Sequence, residues 1–403
     1  MNLVKKKISD LIRPDFNPRI DVRSDKDFYS KLEQSLDEFG YVSPVIWNKR
    51  TNHIVGGNQR LAVLEDKGID EIDVVEVDMS LNKEKSLNVA LNKIGGDWDE
   101  EKLALLFNEL KEDDLDLLTG FDEDEIDQIM IDAGLIELDE EKTDVNDLIE
   151  RESKYDVQYG DLYELGDHVL LCGDCTEQTD LKRVLGDKTI DVLLTDPPYN
   201  VNYSSKNELL NKYDKGNRIQ TPIVYDYMNP DDYVDFTKIW MNNCLDFMSK
   251  YNSIYIFGNF DSLVNHYSNK RIKISNVLVW KKNNIVLGRM DYKCQNEFIL
   301  YGWRNRHKWY GPTNASSIFE VDKPLSNKIH PTMKPVKLLK ILIFNSTKPN
   351  HIVFDPFGGS GSTLIACEQN KRCCYMMEID PHYCSVIIER WETYTDKKHK
   401  KIN

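Results

Sequence analysis

The 403-residue chain lacks an apolar run long enough to cross a bilayer, and its opening residues lack the basic-then-apolar pattern of a secretory leader. A cytoplasmic protein is therefore expected, with its eight cysteines as reduced thiols rather than a disulfide frame. Internal repeats are absent, and the glycine-rich turn at 358–361 lacks a neighbouring Gly-Lys-Ser/Thr signature, which argues against a nucleoside triphosphate there. Positive charge is scarce in the front of the chain. Residues 1–150 hold 18 Lys+Arg against 38 Asp+Glu, so the formal net charge of −16 belongs to that part. The rest holds 34 against 30, a balance compatible with a polyanionic substrate. The length suits two or three domains.

Two short segments carry chemistry. Ile190 to Thr195 is a β-branched, apolar run that reads as a strand buried on both faces of a parallel sheet. Asp196-Pro197-Pro198-Tyr199 follows at its carboxyl end, where ligands bind in open α/β sheets. The prolines keep the chain extended and lack N–H groups, so a carboxylate and a carbonyl are offered side by side. An aromatic amine is a poor nucleophile because its lone pair is delocalised. Donating one N–H to Asp196 and the other to the Pro197 carbonyl would localise that pair and stabilise the charge that develops on nitrogen. Tyr199 offers a face for a stacked base, and an amine inside a duplex is reached only by flipping the nucleotide out. Taken alone, this tetrapeptide is equally a strand-ending turn.

The second segment favours the functional reading. His351 to Asp355 reads as another strand, followed by Pro356-Phe357-Gly358-Gly359-Ser360-Gly361-Ser362-Thr363 and a helix through Cys367. Glycines at such a turn let the backbone approach a ligand, and the helix start can receive a carboxylate. Cys373 to Met377 reads as the next strand and delivers Glu378, about 20 positions beyond the turn, to accept bonds from ribose hydroxyls.

From about 155 to 395 the chain resembles an amino-group DNA methyltransferase of the class in which the catalytic motif precedes the cofactor turn. The motifs above carry that resemblance, together with Leu171-Cys172-Gly173-Asp174, His330-Pro331-Thr332-Met333-Lys334-Pro335 and Glu378-Ile379-Asp380-Pro381. It implies a Rossmann-like α/β sheet and S-adenosylmethionine as methyl donor. Asp174, Cys175, Asp196, Thr332, Lys334, Pro335, Asp355, Phe357, Gly359, Ser360, Gly361, Ser362, Thr363, Glu378 and Ile379 would line the donor site. His330 and Thr332 could instead cap the following helix. Double-stranded DNA is the implied partner, and enzymes of this class, many from restriction-modification systems, often form homodimers. Asp at position 196 is more typical of adenine-N6 than of cytosine-N4 enzymes, so adenine is favoured and cytosine stays open.

Residues 268–310 hold ten Lys+Arg against two Asp+Glu, interleaved with aromatics. Lys281, Lys282, Arg289, Lys293, Arg304, Arg306 and Lys308 are the DNA-contact candidates within an inserted region of about 200–330. A solvated sheet edge is the alternative. Asn200 to Asn229 reads as a long loop closing over DNA or donor. Cys172 and Cys175 have the spacing of half a zinc site, but no metal is expected, because Asp174 is assigned to the donor and the other cysteines fall in apolar patterns.

Residues 1–96 read as a separate α/β module, with Leu32, Leu36 and Phe39 on one helical face. Asn17-Pro18-Arg19 and Gly57-Asn58-Gln59-Arg60-Leu61-Ala62 resemble the amino-terminal domain of ParB-type partition proteins. That likeness implies a nucleotide (CTP or ATP) at Arg19, Gly56, Gly57 and Arg60. The family's Glu-Asn-x-x-Arg segment is replaced by Ala90-Leu91-Asn92-Lys93-Ile94-Gly95-Gly96, so hydrolysis is not expected and a module without chemistry stays open. Residues 97–136 read as an amphipathic helical extension using Leu103, Leu106, Phe107, Leu110, Leu117, Leu118, Phe121, Ile126, Ile129 and Met130. Residues 137–155 read as an exposed acidic linker into a methyltransferase domain at 156–403. The rival overall reading is a nucleotide-responsive, ParB-like DNA-binding protein whose methyltransferase half is inactive.

Overall fold

A computed structural model describes residues 2–19, 21–24, 26–92, 98–121, 123–133, 135, 144–201, 224–283, 291–312, 314–322 and 333–402. The chain divides into two compact units, Met1–Glu140 and Glu141–Asn403.

In the first unit β1 (Asn2–Lys7), β2 (Val45–Asn48), β3 (Ile54–Gly56) and β4 (Glu71–Val77) form a sheet in the order β1-β4-β2-β3. Alternation in β4 turns Ile72 and Val74 inward, onto Val45, Trp47, Ile54, Leu61 and Leu64. The helices Glu100–Lys111 and Glu123–Asp132 bury Leu103, Leu106, Phe107, Leu110, Ile126 and Met130 around Val89. Leu117 and Leu118, expected on that face, are instead exposed, because a single 3-10 turn at Asp116–Thr119 resets the helical phase. Phe39 is also exposed: its helix, Lys26–Phe39, ends there and Gly40 turns the chain at φ +71°.

The second unit is built on ten strands: β5 (Leu162–Leu165), β6 (His168–Cys172), β7 (Ile190–Thr195), β8 (Met248–Gly258), β9 (Lys273–Lys281), β10 (Asn296–Trp303), β11 (Ile318–Glu320), β12 (Ile352–Asp355), β13 (Cys373–Glu378) and β14 (Lys400–Ile402). Their order is β11-β9-β10-β8-β7-β12-β13-β6-β5-β14. The five central strands β8, β7, β12, β13 and β6 are parallel, so their carboxyl ends share one edge. Val192 and Leu194 of β7 face the core under helices Val336–Ser346, Ser362–Gln369 and Pro381–Thr395. Ile190 and Leu193 face the opposite core, under Gln178–Leu185 and Pro230–Leu245. This two-sided burial accounts for the unbroken apolar run.

The chain leaves β7 through Pro230–Leu245 toward β8, and leaves β12 through Ser362–Gln369 toward β13, on the other face and in the other direction. β7 and β12 are neighbours, so the crevice outside their carboxyl ends is a topological switch point. The stretch 137–155, expected to be an exposed linker, is partly folded: Val145–Glu150 is helical and buries Val145, Leu148 and Ile149 against Val386. Its apolar residues recur at helical spacing, which outweighs the acidity around them.

Buried His168 bridges the sheet to a helix, accepting from Cys374 N at 2.9 Å through Nδ1 and lying 2.8 Å through Nε2 from Glu368. That bond, with a further one from Trp391 Nε1, holds the Glu368 carboxyl at about 2 against an ordinary 4.5. A depressed folded value stabilises the fold above pH 4.5, and the contribution is lost as pH falls toward about 2. Denaturant unfolding across this range should therefore show Glu368→Gln less stable than wild type at neutral pH, with the difference closing on acidification.

Candidate active site

Both motifs sit at the switch point. Asp196 follows β7 directly, and Tyr199 turns back so that its hydroxyl donates to Asp196 Oδ1 and lies 2.7 Å from Glu297 Oε1. The Lys334 ammonium donates to Asp196 Oδ2 and, at 2.9 Å, pairs with Glu297. Lys282 closes the cluster at 2.7 Å from the other Glu297 oxygen. Two carboxylates, two ammoniums and a phenol thus form one partly buried network. Burial pushes the Asp196 carboxyl up, against the pull of Lys334, while at Glu297 burial is outweighed by Lys334 and Lys282, which hold it below the usual carboxylate range. Burial also raises the Tyr199 phenol, which stays protonated and a donor. Pro198 is engaged from the other side, where Tyr233 donates to its carbonyl at 2.8 Å.

On the neighbouring strand Asp355 is buried and fully occupied. It accepts from Thr195 at 2.8 Å, from Thr363 at 2.6 Å and from Phe357 N at 3.1 Å, and burial raises it to about 7. Asp355 therefore ties β7, the glycine turn and the following helix together. Gly361 stands at φ +85° as the cap of Ser362–Gln369, and a Cβ on Gly358 would lie 2.7 Å from Met376 Sδ. The turn admits no side chain at either place. Glu378 accepts from Gly359 N at 2.7 Å and Asp380 N at 2.9 Å, and burial raises its carboxyl to about 7. The Phe357 ring meets Trp240 at 5.3 Å and Phe236 at 6.1 Å. Asp174, after β6, accepts from Thr176 N at 2.8 Å and from the Tyr225 hydroxyl.

The crevice thus presents an apolar aromatic wall, a turn of closely packed glycines and a carboxylate at the next strand end, a donor set that fits a nucleoside carrying an amino-acid tail. Buried Arg390 supports the turn, donating to Ser360 O at 2.7 Å and lying 3.2 Å from Ser362 Oγ. Ile379 O accepts from Cys172 Sγ at 3.9 Å, buried Cys175 belongs to the core against which Phe357 packs, and Pro335 is the cap residue of Val336–Ser346. Lys334 lies against Asp196, a residue expected in the same donor-lining set. Thr332, His330 and Arg289 lie outside the described residues, as does most of the expected closing loop. Among the described residues no group of three or more His, Cys, Asp or Glu is arranged to hold a metal.

The expected DNA contacts do not share an edge. β10 runs antiparallel to β8, so its start, with Glu297, lies at the catalytic edge and its end at the opposite one. Lys281, at the end of β9, pairs with Glu320 at 2.8 Å, and Lys282 is committed to Glu297. Arg304 donates to the Leu245 carbonyl, while Arg306 and Lys308 accompany Tyr251 and Tyr310 on the far edge. Lys293 is exposed. Clustering in sequence concealed the reversal of the strand between them. Glu297 was not singled out in the sequence, where it is one of two acidic residues in a basic stretch; its position opening an apolar strand was the available signal.

In the first unit Arg60 donates to the Ser43 carbonyl next to Gly57, whose φ is +90°. Arg19 donates to Asn92 O at 2.6 Å and lies 4.7 Å over Trp98. Gly56 ends β3 with Leu91 against it.

Residues 190–389 match the family described as DNA methylase, of the N6 and N4 type. The second unit carries an amino-group DNA methyltransferase domain. A Type II methyltransferase, M.HinfI of Haemophilus influenzae, is 23% identical over 254 residues, spanning 55% of this chain and 68% of that protein. The crystal structure of the M1.HpyAVI–SAM complex overlaps 55% of this chain and 97% of its own at 21% identity and a TM-score of 0.42. For the front of the chain, the truncated ParB of Caulobacter crescentus complexed with CTP-gamma-S overlaps 32% of this chain and 77% of its own, at 18% identity and a TM-score of 0.22. The cofactor of the methyltransferase domain is S-adenosylmethionine, which supplies the methyl group when bound.

A Cβ at Gly361 would lie 3.1 Å from Ile387 Cγ1 in a left-handed backbone. Gly361→Ala should cost about 1–3 kcal/mol of stability and weaken S-adenosylmethionine binding in calorimetry, with the Asp196–Lys334–Glu297 contacts unchanged.

Proposed function

We propose that this protein methylates the N6 amino group of adenine in double-stranded DNA. The observation that carries the reading is the placement of Asp196 at the carboxyl end of β7, one strand from the glycine turn and tied to it through Thr195 and Asp355. A base extruded from the duplex stacks on Tyr199 and donates its amino hydrogens to Asp196 and the Pro197 carbonyl. Its lone pair is then aimed at the methyl group. Positive charge appears on nitrogen as the bond forms, beside a carboxylate that needs no rearrangement to stabilise it. The surplus proton leaves afterwards, with Asp196 as its nearest acceptor. An aspartate at this position favours adenine; a cytosine amine would offer the same two hydrogens.

The site residues support the roles of Asp196, Pro197, Pro198 and Tyr199 in gripping the amine. Asp174, Phe357, Gly359, Ser360, Gly361 and Glu378 would hold the donor, Glu378 by accepting from its ribose hydroxyls and Phe357 by packing on its base. The first unit is read as a ParB-like accessory module without hydrolytic activity, since Ala90-Leu91-Asn92-Lys93-Ile94-Gly95-Gly96 stands where an acid and an arginine would be needed.

Asp196→Ala should bind donor as wild type does and transfer methyl at least about 100-fold more slowly, the loss typical of removing a transition-state stabiliser. Digesting the product DNA and identifying the methylated nucleoside decides between adenine and cytosine. Equal transfer by both proteins would remove Asp196 from the mechanism.

A further inference from the structure

Asp196, the acceptor required by the target amine, is already satisfied in this structure. Tyr199 donates to one of its oxygens and Lys334 to the other. Neither donor can simply leave, because a buried ammonium or phenol without a partner is costly. Glu297 removes that difficulty. Its Oε1 lies 2.7 Å from the Tyr199 hydroxyl and 2.9 Å from Lys334 Nζ, so both donors keep a charged acceptor when they let go of Asp196. Lys282, at 2.7 Å on Oε2 and 4.8 Å from the Trp280 ring, fixes Glu297 at the start of β10. The Phe257 ring lies 5.2 Å from Lys334 Nζ.

We infer that Glu297 is a positioning residue for methyl transfer: it receives the Lys334 ammonium and the Tyr199 hydroxyl as the target amine displaces them from Asp196. The inference rests on the amine-gripping role proposed for Asp196. It gives Lys334 a task distinct from donor binding, which is to hold Asp196 ionised before the base arrives. Transfer forms the N–C bond as the donor's S–C bond breaks, and the proton released from the methylated nitrogen passes to Asp196. Lys334, kept on Glu297, is then free to return to Asp196 once that proton has gone to solvent.

Among the described residues the groups facing Asp196 are Lys334, Tyr199, Glu297 and, at the end of the adjacent β12, Asp355. Of these Glu297 and Asp355 are anionic when ionised, and Glu297 raises the carboxyl of Asp196. Neutralising Glu297 must therefore lower the pH at which Asp196 takes up its proton, and the acid limb of kcat moves to lower pH.

The test uses the full chain with unmethylated genomic DNA and labelled S-adenosylmethionine. Glu297→Gln should bind S-adenosylmethionine as wild type does in calorimetry and keep KM for DNA within about threefold, while kcat falls about 100-fold and its acid limb moves down. Glu297→Asp keeps the charge but shortens the reach, so its acid limb should stay in place and its rate fall about tenfold. Wild-type kcat and an unmoved acid limb in Glu297→Gln would overturn the inference while leaving the role of Asp196 intact. If Glu297→Gln does not fold, Glu297→Asp decides: wild-type kcat in that variant overturns the inference as well. Absence of methyl transfer by the wild-type chain would instead overturn the proposed function and this inference with it.

Discussion

The hydrogen bond from Thr195 to Asp355 is the constraint on which the site depends. It joins the last residues of two adjacent parallel strands whose chains then leave over opposite faces of the sheet. Because Asp355 also accepts from Thr363 and from Phe357 N, one buried carboxyl sets the spacing between the Asp196–Tyr199 turn, the glycine turn and the helix behind it. Its desolvation is offset by three donors, so the group is held for geometry rather than for reactivity. The active crevice is thus a product of topology first and of side-chain chemistry second.

Around that clasp the carboxylates are sorted by their partners. Glu378 has backbone donors only, and burial raises its carboxyl to about 7. Glu297 has two ammoniums and a phenol and stays ionised, whereas Asp196 shares its ammonium and is raised. Burial raises Asp196, Asp355 and Glu378, whereas ammonium partners lower Glu297, so neighbouring carboxyls in one crevice are tuned in opposite directions.

Much of this was legible in the sequence because it is local. The apolar runs ending in Asp196 and Asp355, and the glycines after the second, are decided by residues within a few positions of one another, and the structure has strands at Ile190–Thr195 and Ile352–Asp355. What periodicity could not show is which ends of distant strands meet. Lys334 and Glu297 come to Asp196 from 138 and 101 positions away, through the position of β10 and a loop entry into Val336–Ser346. Charge runs misled for the same reason: acidity around Val145–Glu150 concealed a packed helix, and the leucines at 117 and 118 kept their spacing in sequence while a 3-10 turn moved them to solvent.

The direction of β10 has a thermodynamic corollary for polyelectrolyte binding. Its eight residues span about 25 Å, longer than the Debye length at ordinary ionic strength, so cations at its two ends act on separate ion atmospheres. A duplex seated over the crevice would displace counterions with Lys281 and its neighbours and leave the Arg306 and Lys308 edge to bulk salt.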